Sequence, residues 1–133
     1  LPGQTGRSAD YFLATIAEEA ALRDPLAVRG ADIDSLYYVG ELLFYRDWRG
    51  QGLGQNLLAM MEEEIRRLGG FDAIVCATVE RPSDHPQRPV NFIPIERFLS
   101  RTGFTAIPGV ATHFSWHELD GIKRQQTMLL WRK

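Results

Sequence analysis

A single cysteine, Cys76, stands among the 133 residues. Without a second thiol the chain forms no intrachain disulfide and builds no multi-cysteine zinc site, a pattern that suits a reducing compartment. An excess of charge is lacking too: 15 Lys and Arg face 17 Asp and Glu, a net charge of −2. A dedicated nucleic-acid binder normally carries a basic surplus for phosphate, so the balance argues against that class. No apolar run approaches 18 residues, and no membrane span is expected. Residues 1–6 lack the basic leader and apolar block of a secretory signal, which makes the cytoplasm the expected location. What remains is ordinary for a globular domain, at 44% hydrophobic and 24% charged residues. At this length roughly two-thirds of the unfolded chain's surface is buried on folding, enough for one domain over residues 1–133.

Helix and strand patterns alternate. Ser8 and Asp10 open a helix expected over residues 9–23, with Tyr11, Phe12, Ile16, Ala20 and Leu22 at helical spacing and Asp24-Pro25 as its end. Leu26-Ala27-Val28 fits a short strand, and an apolar run from Leu36 to Tyr45 fits a longer one. After a glycine-rich turn, Leu53, Leu57, Leu58, Met61, Ile65 and Leu68 form one apolar stripe of a helix that Gly69-Gly70 closes. Phe71 to Val79 has the composition of a buried strand. Pro82, Pro86, Pro89 and Pro94 make residues 81–94 an irregular loop. A short helix over about 94–102 ends at Gly103, a strand starts at Phe104, and Pro108-Gly109 makes a turn. Residues 112–118 and 127–132 complete an antiparallel pair around a polar link. That order predicts an α/β or α+β domain on a mixed sheet.

The stretch Arg49-Gly50-Gln51-Gly52-Leu53-Gly54 carries the most chemistry. A glycine-rich turn from strand to helix aims backbone N–H groups and the positive end of the helix dipole at one spot, which suits phosphate. A P-loop needs Lys and Ser or Thr after the last glycine, and Gln55-Asn56 stands there instead. A dinucleotide fingerprint needs Gly-x-Gly-x-x-Gly, but the glycines fall at 50, 52 and 54; Glu80 is the acidic residue that reading would use. A turn whose glycines serve packing alone is the third alternative.

The same six residues resemble the Arg/Gln-x-x-Gly-x-Gly/Ala acyl-CoA motif of the GNAT superfamily of N-acetyltransferases, which also lies between a long strand and an amphipathic helix. Phe44 stands where that family ends its fourth strand with a hydrophobic residue. Residues 98–104 resemble its aromatic-Tyr-x-x-x-Gly-Phe helix end, and the segments around His113–Trp116 and Met128–Trp131 resemble its closing strands. Tyr38-x-Gly40-Glu41, the loop Arg81–Pro86 and Phe98 resemble a subgroup of it. The resemblance covers residues 36–133 and matches 1–35 only weakly. It implies a GNAT-like mixed sheet with helices on both faces, and the strands before residue 36 are short or missing. It also implies acetyl-CoA as co-substrate, no metal, and a primary amine on a small molecule or protein as acceptor; a homodimer is allowed. The amides of Gly50, Gln51, Gly52, Leu53 and Gly54 beside Arg49 would meet the pyrophosphate, the backbone of Leu42, Leu43 and Phe44 the pantetheine arm, and Asn91 the same arm. The usual catalytic Tyr of the last helix falls at Leu99.

For the base, Glu41 is the leading candidate, a carboxylate among apolar strand neighbours whose burial would raise its affinity for a proton. Strand alternation offers the plainer alternative of a solvent-facing side chain. His85, beside Asp84 in the proline-rich loop, is the second catalytic candidate; a surface histidine is the plainer account. His113 and His117 lie about 13 Å apart on a strand, too far to share a metal ion. Cys76 mid-strand packs as a small hydrophobe. An N-acetyltransferase is therefore expected. A non-catalytic acyl-CoA-binding or protein-interaction module is the runner-up, and a nucleotide-binding oxidoreductase fragment a weaker third.

Overall fold

The computed structural model of the chain describes residues 20–28, 30, 32–40 and 44–133. Helix α1 (Ala20–Val28) leads through a 3-10 turn at Ile33–Ser35 into strand β1 (Leu36–Tyr38). A second 3-10 turn at Arg46–Trp48 precedes helix α2 (Leu53–Leu68) and strand β2 (Ala73–Val79). Helix α3 (Ile95–Arg101) and the long strands β3 (Thr105–His117) and β4 (Lys123–Arg132) follow. The four strands form one sheet in the order β1-β2-β4-β3, with β1 parallel to β2 and the remaining pairs antiparallel. Among the described residues no strand precedes Leu36.

Alternation along the strands sorts side chains to two faces. Tyr37, Val39, Ile74, Cys76 and Trp131 pack on one face with Leu58 and Ile65 of α2 and Leu99 of α3. On the other, Leu36, Ala73, Val75, Val110 and Leu130 pack with Leu26 of α1. Helices thus cover both faces of a mixed sheet, as the sequence implies. Val75 and Leu130, fully buried, mark the centre. Lys133 binds the helical layer together. Its backbone pairs with Ile74, and its Nζ donates to Glu62 Oε1 at 2.8 Å and to the Thr102 carbonyl at 2.7 Å, tying α3 to α2.

Several boundaries differ from the sequence expectation. The helix expected over 9–23 lies largely outside the described residues, but from Ala20 it continues through Pro25 to Val28. An interior proline costs a helix about 3 kcal/mol. Here the same turn buries Leu26 against β1, β2 and β4, which recovers much of that cost and removes the strand alternative for 26–28. Of the strand expected over 36–45, Leu36–Tyr38 forms β1, with one further bond from Val39 N–H to Val75 O at 2.9 Å, and residues 41–43 lie outside the described residues. Pro108-Gly109 is no turn. It sits in β3 where the register shifts between Ala106 and Ala111, and β3 is an edge strand that tolerates a missing N–H. The polar link shrinks to a tight turn closed by Glu118 N–H to Ile122 O at 3.0 Å, so Lys123–Gln126 belong to β4.

One buried polar pair crosses the sheet's interior: Trp131 Nε1 donates to Thr78 Oγ1 at 2.9 Å. Thr78→Val alone should cost about 1–3 kcal/mol by leaving the indole N–H unpaired. In a Trp131→Phe background the same change should cost close to nothing, and urea unfolding of the four proteins of this cycle measures the difference.

Candidate functional site

The turn before α2 is shaped by its own short-range bonds. Trp48 N–H donates to Tyr45 O at 2.9 Å and Arg49 N–H to Arg46 O at 3.1 Å, which closes the 3-10 turn. Gln51 Nε2 reaches the Asp47 carbonyl at 2.8 Å, and Arg49 Nε donates to the Phe44 carbonyl at 3.0 Å, fastening the turn to the preceding segment. Gly50 and Gly52 have φ of +75° and +79°, a region that strongly favours glycine. Gly52 is the N-cap of α2, and the first bond inside the helix runs from Asn56 N–H to Gly52 O at 3.1 Å. The amides of Leu53, Gly54 and Gln55 therefore have no partner within the helix. No acidic side chain occupies that first turn. A Cβ at Gly50 or Gly52 would meet nothing within 4 Å, so this backbone faces open space.

That space is a cleft of about 500 Å³ between the turn and α3. Ile95, Phe98 and Arg101 of α3 form its far wall, Trp48 its rim, and Gly54 sits beneath the Phe98 and Phe44 rings. Arg49 and Arg101 are its charged lining among the described residues, which include no carboxylate there. Free amides, a helix N-terminus and two guanidinium groups all favour an anion. Among the described residues, β1 pairs with β2 as far as the Val39–Val75 bond, and β2 continues to Val79 with β4 on its other side.

The structure brings Phe44, Arg49, Gly50, Gly52, Leu53 and Gly54 together in the cleft. Gln51 belongs to the same turn, but its side chain is spent on Asp47. Asn91 is exposed on the proline-rich loop and is not part of the cleft lining. Glu41, Leu42 and Leu43 lie outside the described residues. His85 lies elsewhere, in a groove with Arg81, Arg88 and Glu118. Its Nδ1 accepts the Gln87 amide at 3.1 Å, which in the neutral ring puts the proton on Nε2 and makes that nitrogen a donor. Leu99 is buried in the core between α2 and the sheet and does not face the cleft. Exposed His113 and His117 sit on β3, and no cluster of three metal-ligating side chains occurs among the described residues. Arg101 and Ile95 escaped the sequence analysis; their three-residue spacings from Phe98 place all three on one face of α3, which was the available signal.

No family model matches the sequence, and no curated protein matches it. Six solved chains are similar, among them two candidate acetyltransferases. One is a candidate acetyltransferase of the GNAT family from Desulfovibrio desulfuricans, at 18% identity and a TM-score of 0.49 over 74% of this chain. The chain spans about half, 52%, of that protein's length. The other is a candidate acetyltransferase from Agrobacterium tumefaciens, at 24% identity and a TM-score of 0.46, covering 88% of this chain and 90% of that one. At such scores neither likeness bears on what this chain does. No helix among the described residues is long and apolar enough to cross a membrane.

Burial pushes the Cys76 thiol up to about 12, so at neutral pH the folded protein carries no thiolate there. Iodoacetamide at pH 7–8 should leave Cys76 unmodified in the native state and alkylate it within minutes in urea, as mass spectrometry would report.

Proposed function

We propose that this chain is an acyl-CoA-dependent N-acyltransferase of the GNAT type, moving an acetyl group from acetyl-CoA to a primary amine. The observation that carries the reading is the cleft at the head of α2, where backbone from Gly50 to Gly54 faces open space between Arg49 and Arg101. A pyrophosphate matches that donor set: several N–H groups, a helix dipole and guanidinium donors converge on one place. The backbone of residues 42–44 is proposed as the strand with which the pantetheine arm pairs.

In the transfer, the amine nitrogen attacks the thioester carbon, the C–N bond forms, the C–S bond breaks, and the pair from that bond leaves on sulfur. An alkyl amine with a pKa near 10 is almost wholly protonated at pH 7 and must lose that proton first. Glu41 is proposed as the group that takes it, directly or through water. A thiolate leaves more readily than an amine nitrogen, so an acid at position 99 is dispensable. The burial of Leu99, where the resemblance places a tyrosine acid, is also the observation that favours a second reading, a non-catalytic acyl-CoA-binding module.

Two measurements check the proposal. Coenzyme A and acetyl-CoA should raise the melting temperature, and NAD and ATP should raise it less. Gly52→Val should lower the midpoint itself through its φ of +79° and abolish the coenzyme A effect. Gly54→Ala, whose Cβ meets only ring atoms at 3.6–3.7 Å, should keep it. Micromolar NAD binding without coenzyme A binding would overturn the assignment. For the chemistry, Glu41→Gln should lower turnover at pH 7 by roughly 10²- to 10⁴-fold, the range of a general base. The deficit should shrink as pH rises toward the amine's own pKa, with acetyl-CoA affinity unchanged. Full activity in Glu41→Gln makes Glu41 a bystander, and no transferase activity in the wild-type protein against any amine supports the second reading.

A further inference from the structure

The proline-rich loop encloses space that the coenzyme cleft does not use. Two adjoining hollows, of about 310 and 440 Å³, lie between this loop and the β3–β4 turn, and both are lined by Arg81, Pro82, His85 and Glu118. They sit at the C-terminal end of β2, and one short stretch separates them from the cleft: Phe92 lines the smaller hollow and Ile93 the cleft.

Their chemistry is two-sided. The smaller hollow has apolar walls from Pro82, Pro89, Phe92 and Leu119. Arg88 lies over the Phe92 ring, its Cζ 5.1 Å from the centroid, and spends one Nη1 hydrogen on the Ser83 carbonyl at 3.0 Å, which leaves further guanidinium donors. His85, with Nδ1 committed to the Gln87 amide, offers Nε2–H. The one carboxylate among the described lining residues, Glu118, is already held by Arg81 at 3.3 Å and by Gln126. Donors to an anion are thus in surplus beside an apolar wall. The larger hollow carries the opposite preference. Asp120 is neutralised by Arg124 through bonds of 2.9 and 2.8 Å, whereas the Glu80 carboxylate, one residue past β2, has no partner among the described residues. A carboxylate-binding end, an apolar wall and an ammonium-binding end adjoin.

We propose that the paired hollows beneath the Arg81–Phe92 loop are the acceptor site, and that the acceptor is a free α-amino acid with an apolar side chain. Its carboxylate meets Arg88 and His85 Nε2–H, its side chain packs on Phe92 and Leu119, and its ammonium lies on the Glu80 side. The role as acceptor rests on the acyltransferase reading; the preference for a zwitterion with an apolar body rests on the hollows alone.

L-leucine is the probe, titrated by calorimetry into the full chain beside 3-methylbutylamine, which lacks the carboxylate, and 4-methylpentanoate, which lacks the amine. Leucine should bind at least tenfold more tightly than either. Arg88→Met should weaken leucine at least tenfold and Arg88→Lys should recover part of the loss, with the melting temperature and its shift by coenzyme A unchanged in both. Equal affinity for leucine and 3-methylbutylamine, or wild-type leucine affinity in Arg88→Met, overturns the proposal. Coenzyme A binding with no leucine binding overturns it as well and leaves the acyltransferase reading standing. Leucine binding through Arg88 without coenzyme A binding sinks the acyltransferase reading and supports the amino-acid pocket.

Discussion

Two short-range bonds fasten the turn ahead of α2: Arg49 Nε to the Phe44 carbonyl and Gln51 Nε2 to the Asp47 carbonyl. They hold Gly50 and Gly52 at positive φ, and with them the point at which α2 begins. On the sheet side, the described ladder of β1 with β2 spans three residue pairs and the bond from Val39 N–H to Val75 O, and β2 keeps its partner β4 as far as Val79. Lys133 holds α3 across from the turn through Glu62 and the Thr102 carbonyl. Cleft, turn and wall follow from these few bonds.

Much of this was written locally in the chain and was legible for that reason. Glycines at 50 and 52 are demanded by positive φ, a property of each residue's own backbone. The stripe that buries Leu58 and Ile65 of α2 needs only the helical period. What stayed hidden depends on partners distant in sequence. Pro25 reads as a stop until Leu26 is known to be buried, and Pro108 reads as a turn until β3 is known to lie at the sheet's edge. Arg101 went unnoticed because its place opposite Arg49 is made by the packing of α3, not by spacing from the glycines.

The fate of the histidines makes the same point in chemical terms. His85 stands beside Asp84 in sequence, but its Nδ1 is engaged by the Gln87 amide two residues on, a bond of loop conformation that leaves Nε2 to meet whatever the groove holds. The loop makes His85 a donor toward a groove. In that groove the carboxylates are graded by their partners: Asp120 is bound by a forked pair of bonds, Glu118 is shared between Arg81 and Gln126, and Glu80 is left free among the described residues. Residue type alone does not distinguish these three acids. Their neighbours do.

The strand order has a consequence for folding. β4 follows every other described strand in the chain, yet it lies between β2 and β3 and supplies Leu130, at the buried centre. Until β4 docks, β3 has no neighbour among the described strands and β2 has only the three-pair contact with β1. A chain with β4 detached therefore displays the apolar flank of β2 and the length of β3, and in that state an unpaired β3 is most apt to join a neighbouring chain instead of its own.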